Sequence, residues 1–254
     1  MDCRSLCRRV LLAALLAAAL PSFAQEAKRS FAVLSEIAHD IRVVVSRPET
    51  GTRLGSNLED RLTIKDGALD KMTLVTARSA LQGSAAGAPV WLISPLDTDL
   101  FDSRQNYTEG STVPIPEDLS QGIKAKGSTH LLLFTRFKAE ATLHARSADL
   151  GTGQLEGVGF FVDRQARMSN RTTLVDSVGF IAPYIYIRAT LIELPSGKVL
   201  KSRRITQSTV LAAERAEQGG DPWNMLTGAR KVQIVADLIV AEVNAAVPAL
   251  LASP

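Results

Sequence analysis

The chain has 254 residues, with 29 Lys and Arg against 26 Asp and Glu and a formal net charge of +3. That near balance argues against a protein built to hold nucleic acid, which carries a basic surplus. The only cysteines, Cys3 and Cys7, lie near the start, so the rest of the chain must stand on a hydrophobic core without disulfides.

In MDCRSLCRRVLLAALLAAALPSFAQ, Arg4, Arg8 and Arg9 precede an apolar run from Val10 to Leu20. Pro21 breaks the run, and Ser22-Phe23-Ala24 places small residues where a signal peptidase reads. The run is too short to span a hydrocarbon core of ~30 Å as a helix. This order predicts a secretory signal peptide over residues 1–24, cut after Ala24. No cysteine closes the run to take a lipid anchor, and no later apolar stretch approaches the length of a membrane helix. The expectation is an exported, periplasmic protein whose residues 25–254 form one domain. Without Arg4, Arg8, Arg9 and Asp2, that domain is closer still to neutral.

FAVLSEI (31–37) and IRVVVSR (41–47) read as β segments, although Phe31, Leu34 and Ala38 would also share a helical face. Residues 48–57 are punctuated by Pro and Gly and read as a loop. Residues 66–83 predict a helix capped by Asp66, with Leu69, Met72, Leu74, Ala77 and Leu81 on its apolar side and Gly83 as its stop. VWLIS (90–94) reads as an apolar strand, followed by a polar loop from Pro95 to Pro116. A short helix is expected over 116–127, its charges ordered to suit the helix dipole. THLLLFTRFKAEATLHA (129–145) reads as one long strand, followed by an insertion at 146–183. The last helix starts with Asp221 as cap and Pro222 at its first position and ends at Pro248. Its broad apolar face, built on Val232, Val235, Ile239, Val243 and Ala246, is one that packs across a sheet. The predicted class is α+β: a single mixed, mainly antiparallel sheet packed by two or three helices, with a long C-terminal helix.

YIYIRATLIELPSGKVLKSRRI (184–205) contains Ser196-Gly197-Lys198 but is no phosphate loop. The glycine that the motif needs before it is absent, Val199 follows the lysine, and no helix comes next. Leu194-Pro195-Ser196-Gly197 instead reads as the turn of a β-hairpin. Arg188, Glu193, Lys201 and Arg203 then point to water.

A strand of the form IRATLIELPSGKVLKSRRI, preceded by STHLLLFTRF and followed by a long helix, resembles a recurring periplasmic domain. That domain is shared by the curli secretion channel subunit, outer-membrane activators of penicillin-binding proteins and a flagellar-associated envelope protein. At residue level the likeness lies in the turn Glu193 to Val199, which stands where those proteins carry D-x-x-T-G-x-V. The resemblance implies an envelope domain whose partners are envelope proteins or peptidoglycan, and it leaves a homo-oligomer open.

Within the insertion, Phe160 and Phe161, flanked by Gly157 and Gly159, are the expected partner-contact patch, with a place in the core as the alternative. The segment 151–180 reads as a surface flap or lid. The arginines at 164, 167 and 171 argue against a transmembrane hairpin. Asp97, Asp99 and Asp102 form a weak polar cluster after an apolar strand, where α/β folds place ligands, but they lack the spacing of an EF-hand. His39, His130 and His144 are not spaced for zinc. No nucleophile elbow is present. No catalytic, cofactor or metal residue is therefore assigned. The expected function is a non-enzymatic envelope protein that binds another envelope component. The alternatives are a periplasmic metal-dependent hydrolase using Asp97, Asp99 and a histidine, and an oligomeric secretion or channel-associated component.

Overall fold

Strands that are apolar on both faces set the architecture. The computed structural model describes residues 29–47, 57–94, 100–101, 107–145, 148–170, 175–212 and 220–252. The leader and Asp97, Asp99 and Asp102 lie outside the described residues. β1 (Phe31–Glu36) is buried at every position, as a strand is when both faces of its sheet are covered. The helical alternative at Phe31 is not formed. β2 (Asp40–Val45) follows after a bend, and β3 (Leu58–Thr63) returns antiparallel on it. Next come α1 (Ala68–Ser84), β4 (Val90–Ile93), α2 (Glu117–Ala125) and β5 (His130–Arg136). Three short strands follow, β6 (Lys138–Glu140), β7 (Leu143–His144) and β8 (Asp149–Leu150). The chain closes with β9 (Gln154–Asn170), β10 (Val175–Glu193), β11 (Val199–Ser208), β12 (Leu211–Ala212) and α3 (Gly228–Leu251).

β10, 19 residues long, is the spine of the sheet. Its residues up to Tyr186 pair antiparallel with β9, and Ile187 to Glu193 pair antiparallel with β5. β9 and β5 therefore follow one another along one edge, while β11 and β12 take the other. Beyond them β1 runs parallel to β5 and β2 parallel to β9. β4 and β3 end the sheet. It is mixed, with antiparallel ladders in the majority, as the α+β expectation requires.

α1 and α3 cover one face. Leu74, Ala77 and Leu81 of α1 and Val235, Ile239 and Val243 of α3 pack on Phe31, Val33, Phe134, Phe160 and Ile187. The other face carries two separate clusters. One gathers Leu34, Leu133, Ile192 and Val199 under Phe101, Tyr107 and Ile123 of α2. The other gathers Val44, Phe161, Phe180, Tyr184 and Tyr186 under Leu143 and Leu155.

Several expectations are corrected. The stretch read as an insertion supplies β9 and the start of β10, and so lies in the middle of the sheet. Its glycines had masked a strand of 17 residues. The long strand expected over 129–145 breaks after Arg136 into shorter pieces. Asp66 makes no side-chain cap; it sits at φ 60 in a 3₁₀ turn ahead of α1. Asp221 caps the 3₁₀ turn Pro222–Met225, and α3 itself is capped by Thr227, whose side chain accepts from the Arg230 N–H. α3 runs on through Pro248 to Leu251. The missing N–H there falls on the exposed side of the helix, where Asn244 is exposed too. The expectation that no later apolar stretch approaches the length of a membrane helix is also overturned, since α3 is long and apolar enough to cross a membrane by length and composition. In the structure it lies against α1 and the sheet.

Candidate functional site

The registers of β1, β5, β10 and β11 align four polar residues. Glu36 pairs with Thr135, Thr135 with Arg188, and Arg188 with Arg204. Directly paired residues share a face, so these side chains form one polar row between the two apolar clusters of the face away from α1 and α3. Glu36 is buried and accepts from the backbone N–H groups of Leu100 (3.2 Å) and Phe101 (3.1 Å). Arg188 is only 3% exposed. Its guanidinium lies 5.2 Å from the Tyr107 ring and 5.0 Å from the Phe137 ring, and Arg204 approaches Phe137 at 5.1 Å.

Burial holds the Arg188 pKa below its ordinary value, and the like charge of Arg204 opposite lowers it further. Like charges directly across a ladder cost roughly 0.2–1 kcal/mol, and each ring contact returns about 0.5–2 kcal/mol. The row pins Leu100, Phe101 and Tyr107 to the sheet. Thr135 Oγ1 is buried with no hydrogen-bond partner among the described residues. The expectation that Arg188 points to water is thus overturned. It belongs to a strand covered on both faces, where a charge must be held by rings and polar partners. A charge inside an otherwise apolar two-sided run, as in FAVLSE and IYIRATLI, was the available signal for both Glu36 and Arg188.

A second polar group joins Ser35, His39 and Asp70. Ser35 Oγ donates to Asp70 Oδ1 at 2.6 Å, and the Ile37 N–H donates to the same oxygen at 2.8 Å. A nucleophilic relay needs the imidazole between serine and carboxylate. Here the carboxylate holds the serine directly, so the group bolts α1 to the bend between β1 and β2. Burial raises the Asp70 pKa, against the Ser35 and Ile37 hydrogen bonds, which lower it.

A third group lies where β2 meets β9. Arg42 reaches Glu156 at 3.3 Å, and Arg136 lies 4.0 Å from the same carboxylate. Beside them Tyr184 is fully buried and its hydroxyl lacks a partner among the described residues. Burial drives its pKa upward. Its ring fits because position 159 is glycine: a Cβ there would meet the Arg42 carbonyl oxygen at 2.3 Å and the Tyr184 hydroxyl at 2.7 Å.

Phe160 and Phe161 are each 0% exposed, so the core alternative describes them and neither ring is offered to a partner. Successive β9 residues face opposite sides of a sheet covered on both. Phe160 meets Trp223 edge-on at 5.7 Å, and Phe161 stacks on Phe180 at 6.0 Å. The three histidines stay apart. His39 sits by Asp70, His130 contacts Thr129 Oγ1 at 2.8 Å, and His144 pairs with Asp149 at 2.7 Å on the exposed β7–β8 ribbon. Burial, and then Arg29, lower the His130 pKa. Among the described residues no group of three or more His, Cys, Asp or Glu side chains could hold a metal ion.

No protein-family model matches the chain, and no curated protein does. Among solved structures, it is similar to a neuraminyllactose-binding hemagglutinin homologue from Helicobacter pylori, with a TM-score of 0.41 and 10% identity over 85% of this chain and 81% of that one. It is also similar to a DUF330 protein from Xanthomonas campestris, with a TM-score of 0.37 and 11% identity over 91% of this chain and 87% of that one. A PelC dodecamer from Paraburkholderia phytofirmans gives a TM-score of 0.33 and 10% identity over 89% and 91%. At these scores none of the three bears on the family or activity of this chain.

Proposed function

We propose that the chain is an exported, non-enzymatic protein of the cell envelope that acts by binding another envelope component. The observation that carries this reading is the open side of the sheet. All six residues of β3 are exposed, with Leu58 and Leu62 among them, and β4 presents Trp91. An edge strand with free N–H and C=O groups is a template for an added strand. Export rests on the charge, apolar run and small-residue order of the leader.

The test is photo-crosslinking in cells of the native host, with probes at Leu62 and Trp91. An envelope protein captured at either edge is the expected result, and a second copy of the chain would make that component the protein itself. Silence at both positions breaks the reading. Tight stoichiometric metal in the purified protein would break it in favour of the hydrolase alternative.

A further inference from the structure

The β9–β10 hairpin outruns the sheet. β2 stops at Val45 opposite Val162, and past that level β9 and β10 are paired to one another. The register shifts between Val178 and Phe180, at Gly179. Beyond the shift Arg167 pairs with Val178; both are exposed, Val178 at 53%. The turn that leads into α3 comes to the same end. Arg164 Nη2 meets Asp221 at 2.7 Å, Pro222 packs against Gly179, and Lys231 Nζ stands 3.9 Å from the centre of the Trp223 ring. This brings up Met225, 39% exposed, Val232, 51% exposed, and the exposed Arg230. Arg47, also exposed, adjoins Ser46, whose N–H donates to the Val162 carbonyl at 2.8 Å.

Among the described side chains at this end, four exposed arginines (Arg47, Arg164, Arg167 and Arg230) face two carboxylates, and both carboxylates are engaged; Lys231 is buried, its Nζ donating to the Leu226 carbonyl. Asp163 accepts from the N–H groups of Gln165 and Ala166, and Asp221 is held by Arg164. Val178 stands directly opposite Arg167 on the ladder, and Val232 follows Arg230 and Lys231 at the start of α3. Exposed apolar side chains beside guanidinium groups suit a headgroup layer, where the apolar atoms sink below the phosphates and arginine binds them.

We propose that this end of the molecule docks reversibly on an anionic phospholipid surface, with Val178, Met225 and Val232 entering the headgroup layer and Arg167 and Arg230 on its phosphates. The inference rests on the binding reading above and names the component met at this end.

The test uses protein purified from the exported fraction and co-sedimented with vesicles. Phosphatidylglycerol mixed with phosphatidylcholine should bind it, phosphatidylcholine alone should not, and added salt should release it. A Lys or Arg near such a surface is worth about fivefold, so Arg167→Glu with Arg230→Glu should lower partitioning about 25-fold or more. Val178→Asp should lower it severalfold, whereas Val75→Asp, at an equally exposed valine of α1, should leave it unchanged. All these positions are exposed, and an unchanged thermal midpoint shows that each variant folds. The proposal is overturned by equal binding to both vesicle types, by binding that ignores the hairpin variants, or by full competition from soluble glycerol phosphate, which would mark a free-phosphate site. A protein crosslinked at Val178 would also overturn it while leaving the binding reading intact. Silence at Leu62 and Trp91 breaks that reading without touching the vesicle result.

Discussion

The two halves of the β9–β10 hairpin are one continuous pair of strands in opposite environments. In the proximal half, Val158, Phe160, Phe161 and Val162 of β9 face Phe180 to Tyr186 of β10, and all those large side chains are buried. In the distal half, Arg164, Gln165, Arg167 and Val178 are exposed. The difference comes from the neighbours. Where β2, α3 and the β7–β8 ribbon cover the ladder, every second residue on either face is core. Where they stop, the same ladder is a surface. Strand pairing alone therefore decides nothing about burial, and a residue's role depends on what lies over its face.

The largest test of this contrast is a truncation on each side of it. Phe160→Ala should remove about 3–5 kcal/mol of stability, because the ring is enclosed and Trp223 packs on its edge. Val178→Ala, on the same ladder, should stay within about 0.5 kcal/mol. Urea denaturation of the two variants reads both. A cost at Phe160 no greater than that at Val178 would remove the distinction between the halves.

The boundary itself can be attacked at Gly179. Its φ is 85, and a Cβ there would meet Pro222 Cγ at 2.6 Å and the Asp163 carbonyl oxygen at 2.8 Å. A backbone oxygen cannot swing aside, so Gly179→Ala should cost about 1–3 kcal/mol. Hydrogen exchange should show the loss concentrated in Arg164 to Val178, with the proximal ladder still protected. Gly83→Ala is the control, since the site is helical and, the local helix backbone aside, nothing lies within 4 Å of its Cβ position. That change should be neutral or stabilise by up to ~1 kcal/mol.

The same contrast explains what the sequence could show. The α+β class, the 184–205 hairpin and the apolar stripe of α3, apart from Val232, which is 51% exposed, follow from periodicity and turn chemistry, which are local. β9 was hidden because Gly157 and Gly159 look like loop residues in sequence. In the fold, Gly157 supplies a backbone bend at φ 69 and Gly159 makes room for Tyr184. Phe160 and Phe161 looked like a contact patch for the same reason, since their burial depends on α3 and the 143–155 segment folding back from elsewhere in the chain. The polar row was invisible as a row. Glu36, Thr135, Arg188 and Arg204 come from four strands, and only the registers place them side by side. Asp97, Asp99 and Asp102 lie outside the described residues.

The smallest expected effect lies at the clasp between the distal half and the start of α3. The Arg164 hydrogen bonds are the main cause of a lowered Asp221 pKa, with the Trp223 N–H and the charges of Arg164 and Lys231 adding to them against a smaller effect of burial. A depressed folded pKa means that the folded state prefers the ionised carboxylate. Its stabilisation is therefore present above the ordinary value of 3.8 and fades as pH falls through the lower folded value. Both side chains are substantially open to water, at 48% and 33%, so screening limits the pair to roughly 0.2–1 kcal/mol. Arg164→Ala should thus cost little at neutral pH. The wild type and the variant should converge in denaturant midpoint as the solution is acidified below the carboxylate range. Hydrogen exchange should place the loss in Gln165 to Arg167 and leave Val158 to Val162 unmoved. Equal loosening of the proximal residues would mean that the clasp supports the core, and the two halves would then be one unit.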